Sequence, residues 1–153
     1  MFWHHEVVRP EWIDVNGHMN LAYYIVVFDH AIDVAYDALD IGTAYRERTG
    51  NSSFIAETHT LYEREVKEGE PLWVTSRLLG ADAKRVHLFQ EMFRADSNER
   101  VAAHEVLALH IDMRTRRTAP FPPDTQAALA AAVRAQAERP LPKGVGRRIT
   151  MPA

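Results

Sequence analysis

Residues 21–41 of this chain, LAYYIVVFDHAIDVAYDALDI, limit its possible folds more than any other stretch. Read at a period of 3.6, the segment is a helix that is apolar over most of its circumference, with Ile25, Val26, Val27, Phe28, Ala31, Ile32 and Val34 spread around it. Asp29, Asp33, Asp37 and Asp40 recur at three- and four-residue spacing and form one polar stripe, with His30 at its edge. A helix this apolar must be surrounded by protein. Its four acids argue against a membrane span. Asn20 has the side chain to cap the helix start, and Gly42 is expected to end it.

The rest of the chain reads as the cover. Residues 2–9 form a first strand, stopped by Pro10. Residues 43–49 add a short helical turn. Four strands follow at 53–64, 71–80, 85–95 and 101–113, separated by short turns at 67–71, 80–84 and 96–100, which predicts an antiparallel meander. In the last strand Val101, Ala103, Leu107, Leu109, Ile111 and Met113 share one apolar face, interrupted only by Glu105. Residues 120–123, Pro-Phe-Pro-Pro, stop the sheet. An alanine-rich helix is expected over about 124–138, and the tail 140–153 is expected to be poorly ordered. The expectation is a single α+β domain over 1–153, with its core at about 3–115: an antiparallel sheet wrapped around one long central helix. So short a sheet leaves an edge strand and part of the helix uncovered, so the chain is expected to form a homodimer or homotetramer.

Composition narrows the function classes. The length of 153 residues suits one domain, and 46% hydrophobic with 25% charged residues is ordinary for a soluble one. No cysteine is present, so disulfides, thiolate metal sites and cysteine nucleophiles drop out. A net charge of −3 gives no reason to expect nucleic-acid or membrane partners. The start, Met1-Phe2-Trp3-His4-His5-Glu6, lacks the features of a secretory signal, and a cytoplasmic location is expected.

Just before the helix stand Asp14, Asn16 and His18 at alternate positions, with Gly17 among them. These are also residue types that loops and caps favour. Placed together at a helix N-terminus, a carboxylate, an amide and an imidazole can handle a polarised carbonyl.

Here the chain resembles a known family. The order of strand, Asp14-Val15-Asn16-Gly17-His18-Met19-Asn20, long helix with Tyr23-Tyr24, and meander is similar to the hotdog-fold acyl-CoA thioesterases of the 4-hydroxybenzoyl-CoA thioesterase type. The Asp-x-Asn-x-His spacing also resembles the catalytic segment of plant acyl-carrier-protein thioesterases. Glu57-Thr58-His59, Tyr62, Arg64-Glu65-Val66, residues 82–87 and residues 119–122 resemble the betainyl-CoA thioesterases of carnitine breakdown. The resemblance implies that Asp14 is the nucleophile or general base. It also implies that backbone amides from Gly17 onward polarise the thioester carbonyl. A second branch of the family uses an acid on the long helix; here those acids form a polar stripe. Trp12 stands where the family often has a second acid.

Thioester hydrolysis needs an activated oxygen nucleophile, stabilisation of an oxyanion and room for the thiol half. Asp14 can deprotonate water or attack directly, and the helix-start amides can hold the oxyanion. His18 orients Asp14 or donates to the carbonyl, and Asn16 fixes the water or the carboxylate. Glu57 and His59 share a strand face with Ile55 and Leu61, and read either as a second polar cluster of the site or as a satisfied interface pair. Lys84 and Arg85, at a hairpin tip, suit the CoA phosphates. A betaine acyl group would need aromatic faces for its trimethylammonium, with Trp3, Trp12, Tyr23, Tyr24, Phe28, Phe54 and Trp73 as candidates. No cofactor beyond the substrate's own CoA is expected. No metal is expected either, because His4-His5-Glu6 and His104/His110 have no recognised ligand spacing. Two other classes stay open: a hotdog hydratase or dehydratase acting on a thioester, and a non-catalytic acyl-CoA-binding dimer.

Overall fold

A computed structural model describes residues 1–151; residues 152–153 lie outside it. The elements run β1 (Phe2–Val7), α1 (Leu21–Ala38), α2 (Thr43–Thr49), β2 (Asn51–Tyr62), β3 (Pro71–Ala81), β4 (Arg85–Arg94), β5 (Arg100–Asp112), β6 (Arg117–Thr118) and α3 (Pro123–Arg134). The five long strands form one antiparallel sheet in the order β1-β3-β4-β5-β2, with β6 paired to the end of β5. Helix α1 lies along one face of it. This is the hotdog arrangement, and among the described residues no helix is long and apolar enough to cross a membrane.

The order corrects the expected meander. Strands β3, β4 and β5 do follow one another as hairpins, but β2 pairs with β5 at the far edge and not with β3. Residues 63–70 therefore cross the end of the sheet. Their backbone groups are used on the way: Glu63 and Arg64 N–H donate to the Val101 carbonyl, Met19 N–H to Val66, Gly69 N–H to Val8, and Val8 N–H to Glu70. The Lys67–Pro71 turn is thus stitched to the end of β1 and not to a hairpin. The two true hairpin turns carry local chemistry. Asp82 Oδ1 accepts from the Lys84 and Arg85 amides, and Asn98 takes the left-handed conformation at φ 55°.

The core lies between α1 and the sheet. Val27, Phe28, Ala31 and Ile32 of α1 are buried, over Val74, Leu78, Leu88, Met92, Ala102 and Val106 of the sheet. On β5 the face turned to the helix is Ala102, His104, Val106, Ala108 and His110, and the apolar face of Ala103, Leu107, Leu109 and Ile111 is the opposite one. Leu107 and Leu109 are only half-buried there. Two buried polar groups tie sheet to helix: Gln90 Nε2 donates to the Phe28 carbonyl at 3.1 Å and Ser76 Oγ to the Ala31 carbonyl at 3.4 Å.

Within one chain, α1 is covered on one side only. Asp29, Asp33 and Asp37 face outward as the stripe predicts, but Leu21 and Val34 are exposed too. The helix ends at Ala38, capped by Leu39, and Asp40 rather than glycine takes the left-handed turn at φ 53°. Gly42 instead opens α2; a Cβ there would meet Asp37 Oδ1 at 2.0 Å, because that carboxylate accepts from Thr43 N–H.

The C-terminal segment, expected to be loose, is fastened. The buried guanidinium of Arg77 donates to the carbonyls of Gln136, Arg139 and Pro140 at 2.6–2.7 Å. Arg100 donates to the Lys143 carbonyl, and Gly146 N–H to Glu105 Oε2 at 2.7 Å. Arg77 is paired opposite Phe89, and Phe89 opposite Glu105, so the segment crosses the sheet face turned away from α1.

Candidate active site

The loop between β1 and α1 is built around Asp14. A 3-10 turn at Pro10–Trp12 redirects the chain, and Ile13 then bridges to Met19, closing residues 14–18 into a tight loop. Gly17 N–H returns to the Asp14 carbonyl at 3.0 Å, and Gly17 holds φ 79°, a conformation that a side chain strains. The Asp14 carboxylate is fixed through both oxygens: Oδ1 accepts from Asn16 N–H at 2.8 Å and Oδ2 from Asn20 Nδ2 at 3.4 Å.

Asn20 caps the helix as expected, its Oδ1 accepting from Ala22 N–H at 3.0 Å. Its carbonyl accepts from Tyr23 N–H. Leu21 N–H keeps no such partner among the described residues, and it stands at the positive end of an 18-residue helix. Asp14 and Asn20 are therefore one unit, in which the cap also holds the acid. The Asn16 side chain is exposed; its contribution to the loop is its backbone N–H.

Beside this loop is a cleft of about 250 Å³ lined by His18, Met19, Leu21, Tyr24, Tyr62, Glu63, Arg64 and Glu65. Tyr24 and Tyr62 meet edge to face at 5.3 Å. Tyr24 is itself buried, with its hydroxyl donating to the Arg64 carbonyl at 3.0 Å. Burial raises its pKa, so it stays a neutral phenol. His18 rests Nδ1 3.2 Å from the Met19 carbonyl, which leaves Nε2 as the nitrogen free to turn elsewhere. Trp12 is buried, stacked on Tyr23 at 5.5 Å, with the Arg9 guanidinium over its ring at 5.0 Å. Trp12 and Tyr23 therefore wall the loop from behind.

Glu57 and His59 are not brought to Asp14. A bulge at Ala56 shifts the register so that Ile55 is opposite Ala108 while Glu57 is opposite Leu107. Ile55 thus faces the helix side, while Glu57 and His59 point out of the other side; of the shared face expected, Leu61 stays with them and Ile55 does not. There they line a larger cavity of about 450 Å³ with Gly80, Asp82, Arg85, His87 and Glu105. Glu105 joins this second cluster, taking His87 Nε2 at 2.7 Å on one oxygen and the tail amide of Gly146 on the other. The larger cavity carries no helix terminus and no acid free of partners beside an oxyanion donor. The candidate reaction centre is therefore the Asp14 loop with the cleft beside it, which the loop borders through His18, Met19 and Leu21 while Asp14 itself does not line it.

Arg85 lines the outer cavity but is not free, because its guanidinium forms an ion pair with Asp82 at 2.6 Å. Lys84 is exposed at the same tip. Of the aromatic candidates, Phe28 is core, and Trp3 and Trp73 stack on the sheet's outer face with Phe93 behind. Phe54 stands exposed on β2 with Arg116 over its ring.

The family model described as the thioesterase-like superfamily matches residues 8–129, across the loop, the long helix and every strand but β1. The chain belongs to that superfamily. Over 145 residues it is 37% identical to a betainyl-CoA thioesterase of Pseudomonas aeruginosa, covering 95% of this chain and 91% of that one. A fused L-carnitine dehydrogenase/betainyl-CoA thioesterase of Agrobacterium fabrum is 38% identical over 143 residues; the match spans 94% of this chain and 29% of the fusion. Among solved structures, a Staphylococcus aureus protein in complex with CoA superposes with a TM-score of 0.89 at 29% identity, covering 99% of this chain and 95% of that one.

Sequence reasoning missed the role of Arg77 and gave Tyr62 only as part of a resemblance, with no place in the site. Arg77 looked like any strand arginine, yet it anchors the C-terminal segment. Tyr62 enters the cleft because β2 runs along the sheet edge past the helix start, where its hydroxyl lies 3.5 Å from the Leu21 carbonyl. Only the unexpected sheet order puts it there.

Proposed function

We propose that this protein hydrolyses an acyl-CoA thioester to the free acid and CoA, with betainyl-CoA as its substrate and Asp14 as the reacting group. The observation that carries the reading is the pairing of an oriented carboxylate with a capped helix start in a family of thioesterases. Asn16 and Asn20 fix the two oxygens of Asp14. The Leu21 amide, at the positive end of the helix dipole, is the donor assigned to the thioester oxygen as it gains charge. In the general-base route, Asp14 takes a proton from water as the hydroxide adds to the thioester carbon. The oxyanion then collapses and expels CoA as its thiolate. In the nucleophilic route Asp14 itself adds to the thioester carbon, the adduct expels CoA as its thiolate to leave an acyl anhydride, and water opens that anhydride to free acid and Asp14.

The betainyl assignment rests on the two relatives and on the cleft. About 250 Å³ suits a short acyl group rather than a long chain. The Tyr24–Tyr62 pair offers ring faces, and Glu63 and Glu65 offer negative charge, both suited to a quaternary ammonium. Arg85 is held by Asp82, and Lys84 is exposed beside it at the β3–β4 turn, the opposite end of the sheet from the Asp14 loop. A homo-oligomer formed through the β2 edge completes the reading. That strand is 12 residues long, has no partner on its outer side among the described residues, and exposes Phe54 and Ile55. A cytoplasmic location agrees with the absence of cysteine.

Thiol release measured across betainyl, short straight, branched, aromatic and long-chain acyl-CoAs tests the reading. Betainyl-CoA is expected to give the highest kcat/KM. A preference for long chains would overturn the substrate assignment. CoA binding with no hydrolysis of any member would overturn the enzymatic one.

A further inference from the structure

Away from the Asp14 loop, three ligating side chains converge between the first strand and the long helix. His4 and Glu6 are two residues apart on β1, so both point to the same face of that strand, the one turned toward α1. His30 comes down from α1. Its Nδ1 lies 2.9 Å from Glu6 Oε2, and His4 Nε2 lies 3.3 Å from the same oxygen. The three ligating atoms are all within 4.8 Å of one another. His5, between them in sequence, points the other way and takes no part.

We propose that His4, Glu6 and His30 form a binding site for a divalent transition-metal ion, Zn²⁺ first among them, which fastens strand β1 to helix α1. Two imidazoles and one carboxylate are a donor set that such ions favour over calcium or magnesium. The spacing fits. An ion about 2.0–2.1 Å from each donor, at tetrahedral or octahedral angles, holds neighbouring donors about 2.9–3.4 Å apart. The two separations from Glu6 Oε2 are 2.9 and 3.3 Å. His30, with 40% of its side chain exposed, has the freedom to close the third side of the triangle. Glu6 is 14% exposed and His4 19%, so two of the three donors are largely shielded from water.

The rest of the surroundings complete the arrangement. Arg9 approaches Glu6 through the other oxygen, Oε1, at 3.7 Å, and so leaves Oε2 for the ion. Remaining coordination positions are open to water on the exposed side of His30. The site carries no reaction step. It sits on β1, the edge strand beside β3, and its effect is mechanical: it holds that edge against the helix that the catalytic loop opens.

The test uses the full-length protein stripped with chelator and then titrated with ZnCl₂ and, separately, CoCl₂. Calorimetry is expected to show one equivalent bound. The visible spectrum is expected to show Co²⁺ bands of a nitrogen–oxygen site. At a hundredfold excess over Kd, the unfolding temperature should rise by about 5–10 °C. His30→Gln, at a half-exposed position, and His4→Gln should each weaken binding at least 100-fold while the metal-free variants keep the wild-type circular dichroism. No binding at 1 mM metal would overturn the proposal. Equal binding by wild type and both variants would also overturn it, by assigning the metal to other histidines such as His59 and His87. Neither result depends on thioester hydrolysis.

Discussion

Acid should destabilise this fold through one buried imidazole. His104 is 2% exposed, stacked on Phe28 at 4.9 Å, with Nδ1 2.8 Å from Thr60 Oγ1. Burial pulls its pKa from 6.5 to about 4, and nearby His59 adds to the shift. In the unfolded chain the ring titrates at its ordinary value. Above pH 6.5 both states hold His104 neutral and it contributes no pH dependence. Between pH 6.5 and about 4 the unfolded state takes up a proton that the folded state refuses, so stability falls as pH falls. At about 1.36 kcal/mol per unit of pKa difference, the loss between pH 7 and pH 4.5 is roughly 2–2.5 kcal/mol. Urea unfolding of wild type and His104→Gln at pH 7.0, 5.5 and 4.5 measures it. Glutamine keeps a partner for Thr60 and cannot titrate. The stability difference between the two proteins should shift toward the variant by that amount across the range. A difference that stays constant from pH 7.0 to 4.5 would refute the assignment of a neutral buried His104.

Other expectations follow from single contacts. Asn20→Ala removes the helix cap and one of the two hydrogen bonds on Asp14, so it should cost about 1 kcal/mol in urea unfolding and also lower kcat. An effect on stability without one on turnover would separate the cap from the acid. Arg77→Ala unfastens three carbonyls of the C-terminal segment; residues 136–146 should become cleavable by protease with the sheet intact, and stability should drop by about 1–3 kcal/mol. Ile55→Lys puts a charge on the exposed face of the β2 edge and should shift the mass measured by light scattering toward the monomer.

Most of the architecture was legible from period alone. The 3.6-residue pattern of 21–41, the Asn20 cap and the strand positions all rest on local signals, and local signals are what a sequence carries plainly. Strand order is not local. Residues 67–71 have turn chemistry, so a hairpin between β2 and β3 was the economical reading. What decides against it is the long-range bonding of residues 63–70 to Val101, Met19 and Val8. Which face of β5 meets α1 is not local either, since both faces of that strand are largely apolar and the helix covers the one bearing Ala102, His104 and Ala108. One bulge at Ala56 then separated Ile55 from Glu57, a slip that alternation cannot foresee. The Asp14 loop was legible as a group because its contacts span at most six residues. The His4–Glu6–His30 cluster was not, because its third member stands 24 residues away on another element.

The central claim is that Asp14 does the chemistry at the start of α1. Asp14→Asn keeps the size of the side chain and an acceptor oxygen for the Asn16 amide, but it can neither take a proton nor attack the thioester. Its kcat for acyl-CoA hydrolysis, followed by thiol release at saturating substrate, is the most direct measurement. The account predicts a fall of about 10²–10⁴-fold with KM little changed and the fold intact. A variant that turns over within threefold of wild type would contradict it.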